Sequence, residues 1–140
     1  MKKAYALDTN TISYLLRGEG NVDMHFQREI IWGHNSYAIP HIVVYEIKRW
    51  LNDNPTKQKQ EFAEAFDMLF QSVEKHADLS ANVWDNAADI YIQLKQNGQL
   101  IGDADIVIAA YCLVNDYTLV TRNINDFLRI AGLKHVNWHD

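Results

Sequence analysis

Two carboxylates, Asp103 and Asp105, stand directly before an almost entirely apolar run from Ile106 to Leu113. The run is too hydrophobic for a surface helix with one face in water. It predicts a helix buried against a sheet, with Gly102 just outside it. Carboxylates in a first helical turn are stabilised by the helix dipole, yet Asp is almost never fully buried without a partner. The pair therefore predicts either a helix cap or a site that receives a cation.

Three more acids lie at the ends of predicted elements or among apolar neighbours. Asp8 follows a short predicted strand, Glu46 falls between the apolar positions of a predicted helix, and Asp126 follows a strand near the end of the sequence. The carboxyl ends of parallel strands meet at one edge of a sheet, so we expect these acids to gather there with the two acids of the buried helix. Gathered carboxylates repel one another, and their pKa values rise unless a cation neutralises them. Mg²⁺ or Mn²⁺ takes such oxygen ligands and can activate water for attack on a phosphodiester.

The elements that must position these acids alternate between strands and helices. This pattern predicts an α/β domain with a central, mostly parallel sheet and helices on both faces. Thr9 and Asn10 are expected to cap the first helix. The predicted strands are Ala4–Leu7, Ser36–Ile39, Val73–Leu79, Tyr117–Thr121 and His135–Trp138. The predicted helices cover about 11–16, 22–33, 41–52, 57–71, 80–97, 103–114 and 127–132.

Length and composition set the outer limits. The 140 residues, 48% of them hydrophobic, are expected to form one domain with an ordinary core. The single cysteine, Cys112, excludes an internal disulfide and favours a reducing compartment, with the thiol as a small buried hydrophobe. No signal peptide or membrane-spanning stretch is recognisable, so the cytoplasm is the expected location. The net charge of −5 argues against nucleic-acid binding by a bulk basic surface, but not against a nuclease whose carboxylates hold a metal.

Three segments stand in an informative order and spacing: Ala6–Asn10, Ile101–Ala109 and Leu119–Phe127. In this arrangement the chain resembles PIN-domain ribonucleases, and most closely the VapC toxins of VapBC toxin–antitoxin pairs. The closing Val136–Trp138 fits the same group. The resemblance covers the whole sequence and implies one PIN domain over residues 1–140. It also implies a Mg²⁺-dependent endoribonuclease, with Mn²⁺ as the alternative ion.

The resemblance implies a role for each acid. The first three family acids fall on Asp8, Glu46 and Asp105, and Asp103 becomes an accessory metal ligand. The fourth family position is commonly acidic but is Asn123 here, which leaves that role divided between Asn123 and Asp126. The implied catalytic residues are Asp8, Glu46, Asp105 and Asp126. The implied metal ligands are Asp8, Glu46, Asp103 and Asp105, and the residues implied to orient substrate or water are Asn10, Thr121, Arg122 and Asn123.

The resemblance implies partners as well. The substrate would be RNA, and a structured RNA such as transfer RNA cut at few sites. A VapB-like antitoxin would cover the acidic groove, and the toxin would form a homodimer without contact to a membrane.

Two other functions use acids that follow strands. A phosphatase with an aspartyl nucleophile needs a second acid two residues after the first, and that position is Asn10. A receiver-type module needs paired acids after the first strand, and Asp8 has no acidic neighbour. A PIN-like module that binds a partner and has little catalytic activity is a further alternative, although the presence of Asp8, Glu46 and Asp105 favours the nuclease.

Overall fold

The computed structural model describes residues 2–54, 56–73 and 80–140. Within these ranges one sheet has four strands, all paired in parallel, in the order β2-β1-β3-β4. This confirms the predicted α/β fold around a parallel sheet. The strands are β1 (Ala4–Leu7), β2 (Ser36–Ala38), β3 (Thr118–Val120) and β4 (His135–Val136).

Helices connect consecutive strands. No helix in the described ranges is long and apolar enough to cross a membrane. The helices are α1 (Thr9–Arg17), α2 (Val22–Phe26, continued by a π-helical segment Gln27–Trp32), α3 (His41–Asp53), α4 (Lys59–Gln71), α5 (Ala81–Gln96), α6 (Asp103–Asn115) and α7 (Ile124–Phe127). The β1–β2 and β2–β3 connections lead in opposite directions along the sheet, and α1 of the first connection contacts α3 and α4 of the second.

Helix α6 is the buried helix that the apolar run predicts. Gly102 precedes its first residue, and the two predicted acids lie in its first turn. The helix packs against α3, α5 and β3. Cys112 is buried in it as a free thiol, as expected. The buried residues of the helix are Ile106, Ile108, Ala109, Ala110, Tyr111 and Cys112.

Two helix starts near the sheet edge differ from the prediction. Helix α1 begins at Thr9, because the Asp8 carboxylate caps it by accepting a hydrogen bond from the Thr11 backbone N–H at 2.8 Å. Thr9 and Asn10, expected as caps, therefore lie inside the helix. Helix α7 begins at Ile124, so Asp126 belongs to the helix and does not precede it.

One predicted element is not tested. The strand expected over 73–79 falls mostly on residues 74–79, which lie outside the described residues.

Candidate active site

The order of strands along the chain reverses at β1, which has β2 on one side and β3 on the other. A reversal of this kind leaves a crevice at the carboxyl ends of the two neighbouring strands. Asp8 directly follows β1 and Thr121 directly follows β3. The Thr121 side chain faces Asp8 across this crevice and lowers the pKa of the Asp8 carboxyl against the effect of burial. The fold thus brings two predicted site residues together at the expected sheet edge.

Asp8 is fixed and buried, with only 5% of its surface exposed. The Thr11 backbone N–H donates to Asp8 Oδ1, and the Thr11 hydroxyl donates to the Val120 carbonyl oxygen at 2.9 Å. Burial raises the pKa of Asp8, although hydrogen bonds from Thr121 and Thr11 partly oppose that rise. A carboxylate held in this way is stabilised in its ionised form by a nearby cation.

Asp105 shares its surroundings with the other site acids. The pKa of Asp105 is raised to about 6. Burial is the largest cause, and the negative charges of Asp8, Glu46 and Asp126 contribute as well. Because all three carboxylates act on Asp105, the four acids form one electrostatic group. These are the four residues that the resemblance implies to be catalytic.

Glu46 of α3 is held by α1. The Thr9 hydroxyl donates to Glu46 Oε1 at 2.6 Å, and Arg49 Nη2 lies 4.0 Å from Glu46 Oε2. The hydrogen bond fixes the side chain of an acid that is only 20% exposed. The sequence identified Thr9 only as a cap, because nothing in the pattern connects it with a glutamate 37 residues away.

Asn123 and Asp126, between which the fourth position was left open, contact each other. The Asn123 side-chain amide donates to Asp126 Oδ2 at 2.9 Å, and the Asn123 backbone N–H donates to the Thr121 hydroxyl oxygen at 3.0 Å. Arg129 lies 3.7 Å from the other oxygen of Asp126. The two candidates therefore form one hydrogen-bonded unit next to Thr121, and Asp126 supplies its negative charge.

A cavity of about 610 Å³ opens beside the acids. Asp8, Glu46 and Asp105 line it together with Asn10 and Ser13 of α1. Asn10 is exposed, so its side-chain amide is accessible from the cavity.

The predicted site residues that do not line this cavity are Asp103, Thr121, Arg122, Asn123 and Asp126. Asp103 is exposed on the first turn of α6, does not line the cavity, and is not among the charges that act on Asp105. Arg122 lies 3.4 Å from Asp140 and 5.7 Å from the Tyr14 ring centre. The structure therefore does not group Asp103 or Arg122 with the four acids Asp8, Glu46, Asp105 and Asp126.

Sequence reasoning missed the outer part of the cavity. Arg49, Trp50 and Asp53 line it, and they follow Glu46 at spacings of three, four and seven residues on α3. Residues at these spacings share one face of a helix, and this periodicity was the available signal. Arg17, in the last turn of α1, also lines the cavity and follows the predicted site residue Asn10 by seven residues, so the same helical spacing was available there.

The donor set fits a hard divalent cation. It consists of carboxylate and amide oxygens, which Mg²⁺ and Mn²⁺ prefer, and it includes a buried carboxylate whose pKa is raised. In the described parts of the chain, however, no three Asp, Glu, His or Cys side chains are close enough to form a ready-made metal site.

Comparisons with known proteins agree with this geometry. The PIN domain family model matches residues 5–133. Ribonuclease VapC2 of Rickettsia felis is 30% identical to this chain over 135 residues, which cover 96% of this chain and 97% of the relative. Ribonuclease VapC1 of Methanocaldococcus jannaschii is 33% identical over 100 residues, or 69% of this chain and 68% of that protein.

Solved structures show the same fold. A chain in the crystal structure of VapBC2 from Rickettsia felis, bound to a DNA fragment from its promoter, matches with a TM-score of 0.82 and 28% identity, covering 96% of this chain and 98% of that one. A chain in the FitAcB structure from Neisseria gonorrhoeae matches with a TM-score of 0.77 and 26% identity, covering 97% of this chain and 99% of that one.

Proposed function

This chain belongs to the PIN domain family, among the VapC ribonucleases, and we propose that it hydrolyses RNA phosphodiester bonds through Asp8, Glu46, Asp105 and Asp126. The observation that carries the proposal is the electrostatic group of these acids at the switch point of the sheet. Such a concentration of negative charge disfavours binding of a polyanion unless a cation accompanies it. The site therefore suits metal-assisted cleavage of a phosphate backbone.

The metal is the cofactor of the proposed reaction. PIN-domain ribonucleases are metal-dependent, and we assign Mg²⁺ here, with Mn²⁺ as the alternative, because the donors are oxygens. Asp8, Glu46 and Asp105 would hold the ion, and Asp103 is proposed as an accessory ligand. When bound, the metal supplies positive charge that polarises the phosphate and lowers the pKa of water.

The protein side chains position the reacting groups. Thr11 and Thr121 hold Asp8, and Thr9 holds Glu46, so that both carboxylates keep a fixed direction. Asn10 is placed to donate to a phosphate oxygen in the cavity. Arg122 is exposed and, if it contacts RNA, does so outside the cavity.

The Asn123–Asp126 pair would orient water or phosphate beside Thr121. In this arrangement the asparagine keeps the position of the fourth family residue, and the aspartate provides the charge that is usual there.

We also propose the biological setting. The chain would be the toxin of a toxin–antitoxin pair, with a VapB-type antitoxin as its protein partner and a structured RNA such as transfer RNA as its substrate. The VapBC2 complex of Rickettsia felis supports the choice of antitoxin. Residues 1–140 would form one PIN domain that works as a homodimer in the cytoplasm.

Cleavage of total cellular RNA by the purified protein tests the activity. Because Asp8 also caps α1, the informative substitution is Asp8→Ser, which keeps a good capping residue but removes the carboxylate. We expect discrete fragments from the wild type with Mg²⁺, none with EDTA, and at least about 100-fold slower cleavage by Asp8→Ser.

The matched control is Asp23→Ser, an exposed acid in the first turn of α2. It should cleave like the wild type. Equal cleavage by Asp8→Ser and the wild type, or cleavage that survives EDTA, would show that the carboxylate site is not catalytic. A wild type that cleaves no RNA but binds an antitoxin would favour the partner-binding module.

A further inference from the structure

A second, smaller cavity adjoins the site. Its volume is about 220 Å³, and it shares Arg17, Trp50 and Asn54 with the large cavity that the acids line. Lys59 and Phe62 of α4 complete its polar and aromatic walls. Drug-sized ligands usually occupy 300–1,000 Å³, so this space suits a single ring system. The groove thus leads from the catalytic carboxylates to a small aromatic compartment.

Two aromatic rings form one wall of this compartment. The rings of Trp50 and Phe62 are stacked, with their centres 6.1 Å apart and their planes 21° apart. Both side chains are only partly buried, although they pack against the core. A partly exposed tryptophan in a groove offers a flat face on which another planar ring can stack.

The charges along this part of the groove are mainly positive. Arg17, Arg49 and Lys59 line the two cavities, and Asp53 is the opposing acid among their outer residues. The side chains of Arg17 and Arg49 are 42% and 61% exposed. In a chain of net charge −5, these cations stand next to aromatic rings. Arg17 also pairs with Glu19 at 2.9 Å, and Arg49 lies 4.0 Å from Glu46. Proteins that bind single-stranded nucleic acids combine cations that follow the backbone with aromatic rings that stack on bases.

We propose that the small cavity is a base-binding subsite for the RNA strand, in which Trp50 stacks on a nucleotide base near the scissile phosphate. Arg17 and Lys59 hold the adjoining backbone phosphates. This inference rests on the proposed ribonuclease activity and adds a specificity-determining residue to it. Cations beside stacked rings match the anionic backbone and the planar bases of RNA, and a protein partner on the same surface is an alternative outcome of the test below.

Binding of abasic RNA tests the stacking directly. Every protein in this test carries Asp8→Ser, which should prevent cleavage, so that Mg²⁺ can be kept in the buffer. The probe is a short oligoadenylate from which one base at a time is removed while the backbone is kept. For Asp8→Ser alone, we expect removal of one particular base to weaken binding about 5- to 100-fold. In Trp50→Leu, whose leucine maintains an apolar contact with Phe62, that penalty should disappear, and Trp50→Tyr should restore part of it.

The matched control is Trp84→Leu, a tryptophan of α5 that is 51% exposed and lines neither cavity. It should show the same pattern as Asp8→Ser alone. If the abasic penalty is the same in Asp8→Ser alone and with Trp50→Leu added, the subsite is refuted. If Trp50→Leu keeps that penalty but loses binding of a VapB-type antitoxin, the cavity is a protein-docking surface and the proposal is wrong.

The two proposals fail separately, because the stacking is read from binding of abasic RNA without cleavage, whereas the ribonuclease activity is read from cleavage by the wild type and by Asp8→Ser. An unchanged abasic pattern with intact cleavage would remove the subsite and leave the ribonuclease activity standing.

Discussion

Asp8 serves as a helix cap and as a member of the acidic group at the same time. Its Oδ1 accepts the Thr11 backbone N–H, which fixes the carboxylate relative to the start of α1. A carboxylate has two oxygens and several lone pairs, so capping leaves it able to accept from Thr121 and to contact a cation. The cap therefore makes the ligand rigid, and the two roles support each other.

Thr9 should matter for activity through its hydrogen bond to Glu46. Thr9→Val removes the hydroxyl that donates to Glu46 at 2.6 Å and leaves a side chain of similar shape. Hydrogen bonds to charged groups contribute about 1.5–3 kcal/mol, so we expect RNA cleavage to fall about 10-fold or more, at unchanged folding. Cleavage rates over a range of Mg²⁺ concentrations measure this loss.

Thr9→Ser is the matched control, because it keeps the hydroxyl. It should retain most of the wild-type rate, whereas the valine variant should also need more Mg²⁺. Equal rates for the valine variant and the wild type would mean that the hydrogen bond does not position Glu46 for catalysis.

Asp105 should make the stability of the metal-free protein depend on pH. Its pKa is about 6 in the folded chain, against an ordinary value of 3.8, so between these values the folded state binds more protons than the unfolded state. The free energy of unfolding therefore falls as the pH rises from about 4 to about 6. Because the group is partly exposed, solvent screening reduces the expected loss to about 1–2 kcal/mol.

Asp105→Asn isolates this effect in chemical denaturation with EDTA. The variant should be about 1–2 kcal/mol more stable than the wild type at about pH 7, and nearly equal at about pH 4. Asp103→Asn, in the same helical turn but exposed, should leave the pH dependence unchanged. If both variants behave alike, the pKa of Asp105 is not raised in the folded protein.

At the scale of elements, the sequence predicts what local pattern determines. The apolar run from Ile106 to Leu113 determines α6, since a helix without a polar face can only be buried. The start of α1 was misjudged because the cap depends on where the Asp8 side chain points. The hydrogen bond between Thr9 and Glu46 could not be predicted from the sequence, because it depends on the packing of α1 against α3.

The chain end beyond β4 is attached to the loop between α1 and α2. The Asn21 backbone N–H donates to the His139 carbonyl oxygen at 2.9 Å, and a Cβ on Gly20 would lie 2.7 Å from that same oxygen. Gly20→Ala should therefore push the segment away and destabilise the protein. Gly98→Ala is the matched control, since both glycines have positive φ, 66° and 64°, but nothing lies within 4 Å of a Cβ at Gly98.

The difference in the free energy of unfolding between Gly20→Ala and Gly98→Ala measures how firmly the segment beyond β4 is held against the loop between α1 and α2. The left-handed conformation alone should cost each variant about 1–2 kcal/mol in the free energy of unfolding. The steric conflict should add about 1–3 kcal/mol for Gly20→Ala only. Equal losses in denaturant titrations would show that the end segment shifts without resistance.

At the scale of the molecule, charge is divided between the acidic end and the basic end of one groove. The net charge of −5 repels RNA overall, so binding depends on the cation at the carboxylates and on the arginines farther along. The chain thus needs few phosphate contacts, placed where the strand must lie. A protein of this kind should show a weak dependence of RNA affinity on salt.

The salt dependence of binding to a short oligoadenylate tests this division of charge, with Mg²⁺ present and with Asp8→Ser in every protein to prevent cleavage. Each contacted phosphate of a single strand contributes a slope of about −0.7 in log K against log salt concentration. One phosphate contact each from Arg17, Arg49 and Lys59 therefore predicts a slope of about −2. Arg49→Gln should weaken binding and make the slope less steep by about 0.7. Arg28→Gln removes an arginine of similar exposure, 57% against 61%, that lines neither cavity, and it should change neither quantity. If the basic end of the groove binds RNA, only Arg49→Gln should have an effect. Equal effects of both variants would mean that RNA responds to the total charge of the protein.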